Sequence, residues 1–164
     1  MNSSRQTSHL LHEEHRGNLD LLGRVELALT RAPKRDTGRD AELVKLMVAL
    51  GRQVEQDVGR HFDFEERELF SRLTEAGEGD IASLLRSEHE AMREVAEELL
   101  PLTRAAAAGT LDDTGWDALR RGAFELAERQ VSHIQKEEMA LLPMLDDLLD
   151  DETDRRLAFD YSAS

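Results

Sequence analysis

The chain has 164 residues and no cysteine. Disulfide bonds, thiolate-bound zinc and iron–sulfur clusters are therefore excluded. Aromatic residues make up only 4% of the sequence, whereas leucine, alanine, glutamate and arginine are abundant, so the composition favours helices over a β-sandwich or barrel. No apolar run is long enough to cross a bilayer, and the first residues contain no apolar run typical of a signal peptide. We expect a single cytoplasmic domain.

Positive charge is also scarce. Lysine and arginine number 21 against 35 aspartate and glutamate residues, which gives a formal net charge of −14. Nucleic acids and anionic membranes are polyanions, so this charge argues against either as the main partner. The same charge would attract metal cations.

Apolar residues recur at helical spacing in four blocks, which are separated by glycine- and aspartate-rich turns. Short connections place consecutive helices antiparallel, so we predict an all-α, up-down-up-down four-helix bundle over residues 1–149. Residues 150–164 are acidic and polar and are predicted to form a flexible C-terminal tail. Tyr161 lies in that tail, so no tyrosine is expected beside a site in the bundle. The four blocks span about 8–31, 40–75, 81–108 and 116–149.

One motif occurs twice on apolar helix faces: a histidine is followed four residues later by a glutamate. The first copy pairs His61 with Glu65, and the second pairs His133 with Glu137. His9 and Glu13 repeat the spacing, but Glu13 points away from the apolar face of its helix and is interpreted as solvated. Residues four apart lie on the same face of a helix, so each copy projects an imidazole and a carboxylate together. The remaining two blocks each place one histidine on the apolar face, and these are His15 and His89.

The four histidines are predicted to meet at one level of the bundle. Counted from the connecting turns, their positions differ by about three residues, or roughly 4–5 Å of helix rise. Polar groups on four core faces at one level would be costly without partners. A metal site explains the placement, whereas a purely structural bundle with hydrogen-bonded core histidines is the competing interpretation.

Imidazole and carboxylate without thiolate suit iron, manganese or zinc. Glu65 and Glu137 could bridge two ions, each also held by terminal histidines. Two such ions would keep open positions for water, an oxo or hydroxo bridge, or a diatomic ligand. A ferritin-like di-iron bundle would instead show glutamate three residues before histidine, and no histidine here has that neighbour.

These motifs resemble those of the hemerythrin-like, or HHE cation-binding, domains of bacterial type. The matching segments run from about His9 to Leu149. The resemblance implies a four-helix bundle with a non-heme di-iron site. Its metal ligands would be His15, His61, Glu65, His89, His133 and Glu137.

The chain departs from the oxygen-carrying hemerythrins, which have a fifth histidine four residues after the one on the third helix. Arg93 stands at that position, so reversible oxygen carriage is not implied. His12, one turn before His15, is an alternative fifth ligand. The acidic neighbours of the ligands are interpreted mainly as solvated residues, one or two of which orient an imidazole; they are Glu14, Glu66, Glu88 and Glu138.

The resemblance implies a non-heme di-iron protein that binds or reacts with O2, NO or peroxide, in sensing or stress defence. No catalytic motif defines a reaction. The resemblance implies at most a weak peroxide- or NO-consuming activity. Zinc or manganese could replace iron. The alternative function is a non-redox cation-binding module for metal storage or sensing.

Overall fold

Four long helices form where the apolar periodicity predicts them. The computed structural model describes residues 3–164 and contains no strand within that range. Helices adjacent in the chain pack against each other, and the fourth also packs against the first, which closes the predicted all-α antiparallel bundle. The helices are α1 (Gln6–Arg31), α2 (41–75), α3 (Gly79–Ala108) and α4 (113–148).

Capping residues fix where these helices begin and end. The Asp40 carboxylate accepts hydrogen bonds from the first backbone N–H groups of α2, and Asp112 does the same at the start of α4. These bonds satisfy donors that have no partner inside the helix. Gly109 ends α3 with φ at +73°, in the left-handed region that glycine adopts without a steric penalty.

Both helices that carry a histidine–glutamate pair contain wider π-helical turns. In α2 these turns span Asp57–His61 and Glu65–Phe70, and in α4 the π turn spans Glu137–Leu141. A π turn rotates the following side chains relative to a regular α-helix, and such turns are frequent at functional sites. His61, Glu65 and Glu137 therefore lie within these turns, and His133 lies one helical turn before the π turn of α4.

The interior consists of two apolar clusters. One is rich in leucine and valine, contains Trp116, and fills the half of the bundle near the α1–α2 and α3–α4 turns. The other contains Phe64, Phe70 and Leu141 and fills the opposite half. The predicted ligand histidines and glutamates belong to neither cluster and are themselves buried. They form a polar layer in the interior.

The predicted flexible tail is instead largely helical. A fifth helix, α5 (Asp151–Ala163), packs along α1. Its buried residues recur at helical spacing: Asp154, Leu157, Ala158 and Tyr161. The Asp154 carboxylate accepts hydrogen bonds from the backbone N–H of Gln6 and Thr7, at 2.8 and 2.9 Å. Asp154 therefore caps the N-terminus of α1, which has no other side-chain cap. The prediction treated the acidic residues of this segment as solvated, whereas this one is buried and hydrogen-bonded.

Candidate metal centre

The structure brings all six sequence-predicted ligands together in the centre of the bundle. Each long helix contributes one histidine, and α2 and α4 each add a glutamate. All six side chains are buried, and Glu65, His89 and Glu137 have no exposed surface. The imidazole Nε2 atoms point inward toward the two carboxylates.

The donors form two overlapping groups. The first consists of His15, His61, Glu65 and Glu137, and the second combines His89 and His133 with the same two glutamates. Within each group, one ligand atom from every residue lies within 4.8 Å of the others. Because both carboxylates belong to both groups, the layer could hold two ions bridged by Glu65 and Glu137.

Individual distances show how closely the donors converge. Nε2 of His61 lies 3.0 Å from a Glu65 oxygen, and Nε2 of His15 lies 3.1 Å from a Glu137 oxygen. On the other side, the Nε2 atoms of His89 and His133 are 2.9 Å apart. Both nitrogens also face carboxylates, so the two imidazoles could bind one cation.

The hydrogen bonding of the layer fits a metal. Within the described residues, both oxygens of Glu65, both oxygens of Glu137 and Nε2 of His15 are buried without a hydrogen bond. Buried polar atoms in folded proteins almost always have a partner, so five such atoms in one layer require an explanation. Carboxylate and imidazole are suitable donors for iron, manganese and zinc, and bound ions would provide the partners.

The outward-facing nitrogens of the four histidines each meet a glutamate from another helix. Nδ1 of His15 lies 2.8 Å from Glu138, and Nδ1 of His61 lies 2.8 Å from Glu14. The other two pairs are His89 with Glu66, at 3.3 Å, and His133 with Glu88, at 2.9 Å.

These four contacts form a closed ring around the bundle. α1 supplies the carboxylate for the histidine of α2, α2 for α3, α3 for α4, and α4 for α1. A carboxylate on Nδ1 fixes the tautomer and leaves Nε2 free to bind a metal. The interpretation of these glutamates as mainly solvated residues was therefore wrong, since all four of them orient a ligand candidate.

Aromatic rings also hold two of the histidines. Phe62 stacks on the imidazole of His89 at a centroid distance of 4.0 Å and an interplanar angle of 12°. Tyr161 donates its hydroxyl to Glu14 and lies 3.0 Å from Nδ1 of His61. The prediction that no tyrosine lies near the site was wrong, because α5 folds back over α1.

The two residues considered in connection with a fifth histidine lie outside the ligand layer. Nδ1 of His12 bonds the carboxylate of Glu138, at 2.9 Å, and His12 belongs to neither donor group. Arg93 turns outward and forms ion pairs with Glu66 and Asp63. The structure therefore provides two histidines for each potential ion.

Buried carboxylates set the protonation of the layer. Burial alone would lower the pKa of His15, but its contacts with Glu137 and Glu138 outweigh this effect and raise the pKa to about 9. Burial would also lower the pKa of His133. The charge of Glu137 outweighs this effect, and the pKa of His133 rises to about 10. The pKa of Glu137 falls well below its ordinary value, because the charge of His133 overcomes the opposing effect of burial. Without a metal, protons on His15 and His133 would offset part of the carboxylate charge, and an ion that binds Nε2 must displace them.

A helical bundle with a buried layer of four histidines and two shared carboxylates defines a class of metal-binding proteins. The sequence pattern described as the Hemerythrin HHE cation binding domain matches residues 6–145. The chain therefore belongs to the hemerythrin family. Comparison with curated proteins finds no significant match. Within residues 3–164, no helix is long and apolar enough to span a membrane.

Proposed function

We propose that this chain is a non-heme di-iron protein that binds or reacts with O2, NO or peroxide, in cytoplasmic sensing or stress defence. The observation that carries the proposal is the sharing of Glu65 and Glu137 between two four-donor groups. A carboxylate pair common to both groups is suited to holding two ions close together, as two-metal chemistry requires. Bound iron would supply the redox chemistry.

The residues of the chain would hold the ions, exclude water and orient the ligands. His15 and His61 would hold one ion, and His89 and His133 the other. Four donors for each ion are fewer than the six that octahedral iron takes, so small ligands would find open positions. The apolar clusters on both sides of the layer would exclude bulk water. The ring of glutamates would keep each Nδ1 protonated and each Nε2 available.

A second function is supported by the same donor count. Four nitrogen and oxygen donors are the number that tetrahedral zinc takes in closed structural sites. A non-redox cation-binding module for zinc, manganese or iron is therefore the alternative. In that case the protein would store or sense metal without reacting with oxygen species.

The deciding experiment is metal analysis combined with absorption spectroscopy, on protein purified in air and again after anaerobic reduction. About two irons per chain, with a near-ultraviolet charge-transfer band that reduction bleaches, is the result expected for the di-iron protein. Stoichiometric zinc or manganese without such a band, even after iron reconstitution, would favour the alternative. No bound metal under any of these conditions would contradict both.

A matched pair of variants connects this result to the site. His61→Ala removes a buried donor, whereas His9→Ala removes an exposed histidine of α1 that belongs to neither donor group. Only the first should lower the metal content. If His61→Ala leaves the metal content unchanged, His61 holds no ion and the proposal is wrong.

A further inference from the structure

The C-terminal helix lies beyond the region that matches the family, yet it reaches the ligand layer. The match ends at residue 145, whereas α5 spans Asp151–Ala163. Tyr161, the single tyrosine of the chain, is 4% exposed and points from α5 toward the layer. The family pattern therefore does not account for this side chain.

Tyr161 completes a three-membered hydrogen-bonded unit. Its hydroxyl donates to Oε2 of Glu14, and the same carboxylate oxygen lies 2.8 Å from Nδ1 of His61. The phenol oxygen itself is 3.0 Å from that Nδ1. When His61 presents Nε2 to the layer, its Nδ1–H thus faces two oxygen acceptors whose positions are coupled to each other.

Several contacts hold the phenol in this position. The guanidinium of Arg60 lies 4.5 Å from the centre of the Tyr161 ring and donates to the backbone oxygens of Tyr161 and Ser164, at 3.3 and 2.9 Å. The ring of Phe64 packs against it at a centroid distance of 4.6 Å. Tyr161 is therefore anchored to α2 through Arg60 and Phe64.

Glu14 is the most exposed of the four orienting carboxylates, and it alone accepts a hydrogen bond from a phenol. Its side chain is 36% exposed, whereas those of Glu66, Glu88 and Glu138 are between 14% and 23% exposed. Each of those three also contacts a nitrogen donor besides its ligand histidine: Arg93, Lys136 and His12, respectively. Glu14 has Arg60 at 3.3 Å and, in addition, the phenol hydroxyl of Tyr161.

We propose that Tyr161 is a positioning residue of the metal centre, which holds His61 in its metal-binding orientation directly and through Glu14. The proposal rests on metal binding by the ligand layer and does not depend on oxygen chemistry. It distinguishes the two donor groups. Only the group containing His15 and His61 receives this support. Loss of the phenol hydroxyl should therefore weaken the binding of one ion and leave the binding of the other unchanged.

The test is a cobalt(II) titration of the full-length chain, stripped of metal under anaerobic conditions, against a chelator of known affinity. Tyr161→Phe keeps the ring and removes only the hydroxyl. We expect one of the two cobalt equivalents to bind roughly 10–100-fold more weakly, which is the usual effect of losing an outer hydrogen-bonding partner of a ligand. The second equivalent should bind as in the wild type.

Two further variants make the result specific. Phe159→Leu alters another aromatic residue of α5 that is 71% exposed and should leave both cobalt equivalents unchanged. Glu14→Gln should weaken the same equivalent as Tyr161→Phe does. The effect of the two substitutions together should be smaller than the sum of their separate effects, because both act through His61.

Proton NMR of the cobalt-loaded protein identifies the affected ligand. Each ligand imidazole carries one exchangeable Nδ1–H, and only that of His61 should shift and exchange faster in Tyr161→Phe. The melting temperatures of the metal-free variant and the metal-free wild type are compared to show whether the substitution causes a general loss of stability.

Unchanged cobalt affinity in Tyr161→Phe would overturn the proposal. So would equal weakening of both equivalents, or a weakening that follows only a general loss of stability. These results would leave the proposed function intact if the wild type binds two ions. Failure of the wild type to bind two ions would instead contradict the proposed function itself.

Discussion

The carboxylate of Glu138 lies 2.8 Å from Nδ1 of His15, which precedes it by 123 residues in the chain. Glu138 directly follows Glu137, whose own carboxylate faces Nε2 of the same histidine at 3.1 Å. Two consecutive glutamates of α4 thus face the two nitrogens of one imidazole of α1. This pairing fixes the rotation of the His15 ring and the packing of the two helices at the same time.

Replacing Glu138 should weaken metal binding without removing a ligand. Glu138→Gln keeps the shape of the side chain but loses the charge that stabilises the Nδ1–H of His15. We expect roughly a 10–100-fold lower affinity for one ion, measured by chelator competition. Glu13→Gln changes a glutamate of α1 that is 69% exposed and serves as the control. Equal effects of the two substitutions would show that Glu138 does not orient His15.

Replacing Glu137 should affect both ions. This carboxylate belongs to both donor groups, so Glu137→Gln removes a charged donor from each of them. We expect metal analysis to give far less than two ions per chain, whereas His15→Ala should mainly affect one ion. Glu128→Gln, at an exposed position of α4, should retain the wild-type metal content. If Glu137→Gln retained one tightly bound ion, the carboxylate would not be shared.

The metal-free protein should lose stability as the pH rises. An unfolded histidine titrates near 6.5, whereas the folded-state pKa values are about 9 for His15 and about 10 for His133. The folded state thus favours the protonated form, so the stabilisation is complete below pH 6.5 and is lost as the pH rises through 9 and 10. The melting temperature, followed by circular dichroism, should fall over this interval.

Metal-loaded protein provides the comparison for this pH series. Bound ions replace the protons on Nε2, so the melting temperature should depend less on pH between 6.5 and 10. The comparison also separates the histidines from the other groups that titrate near pH 10. A metal-free melting temperature that stays constant or rises over this interval would contradict the protonation assigned to the layer.

The fold and the six ligand candidates could be predicted because they depend on regularities within single helices. His61 and Glu65 share a face at a spacing of four, and the apolar residues around them identify that face as buried. Which residue of another helix meets Nδ1 of His61 depends on the rotation and height of α1. That rotation is set by packing between helices, and the π turns of α2 change the directions of the side chains of α2 itself. A periodicity count contains neither effect.

Tyr161 was missed for a different reason. The spacing of Asp154, Leu157, Ala158 and Tyr161 is that of an amphipathic helix, so a sequence signal existed. The high acidic content of residues 150–164 was given more weight than this spacing. Much of that charge has a structural role, since Asp150 caps α5 and Asp154 caps α1.

Removing the Asp154 carboxylate should therefore destabilise the fold where α5 meets the N-terminus of α1. Asp154 is 4% exposed and accepts the backbone N–H groups of Gln6 and Thr7, while Arg5, the residue before α1, caps nothing with its side chain. Loss of a capping side chain costs about 0.5–2 kcal/mol. We expect Asp154→Ala to lower the free energy of unfolding in urea by about that amount.

Asp160→Ala is the matched control, because this aspartate lies on α5 with a side chain that is 59% exposed. It should leave the free energy of unfolding nearly unchanged. Asp154→Ala should still bind two ions at saturating metal, since every ligand candidate remains, and bound metal should recover part of the lost stability. If both substitutions had the same small effect, α5 would contribute little to the fold, and its link to α1 would not explain how Tyr161 is held beside His61.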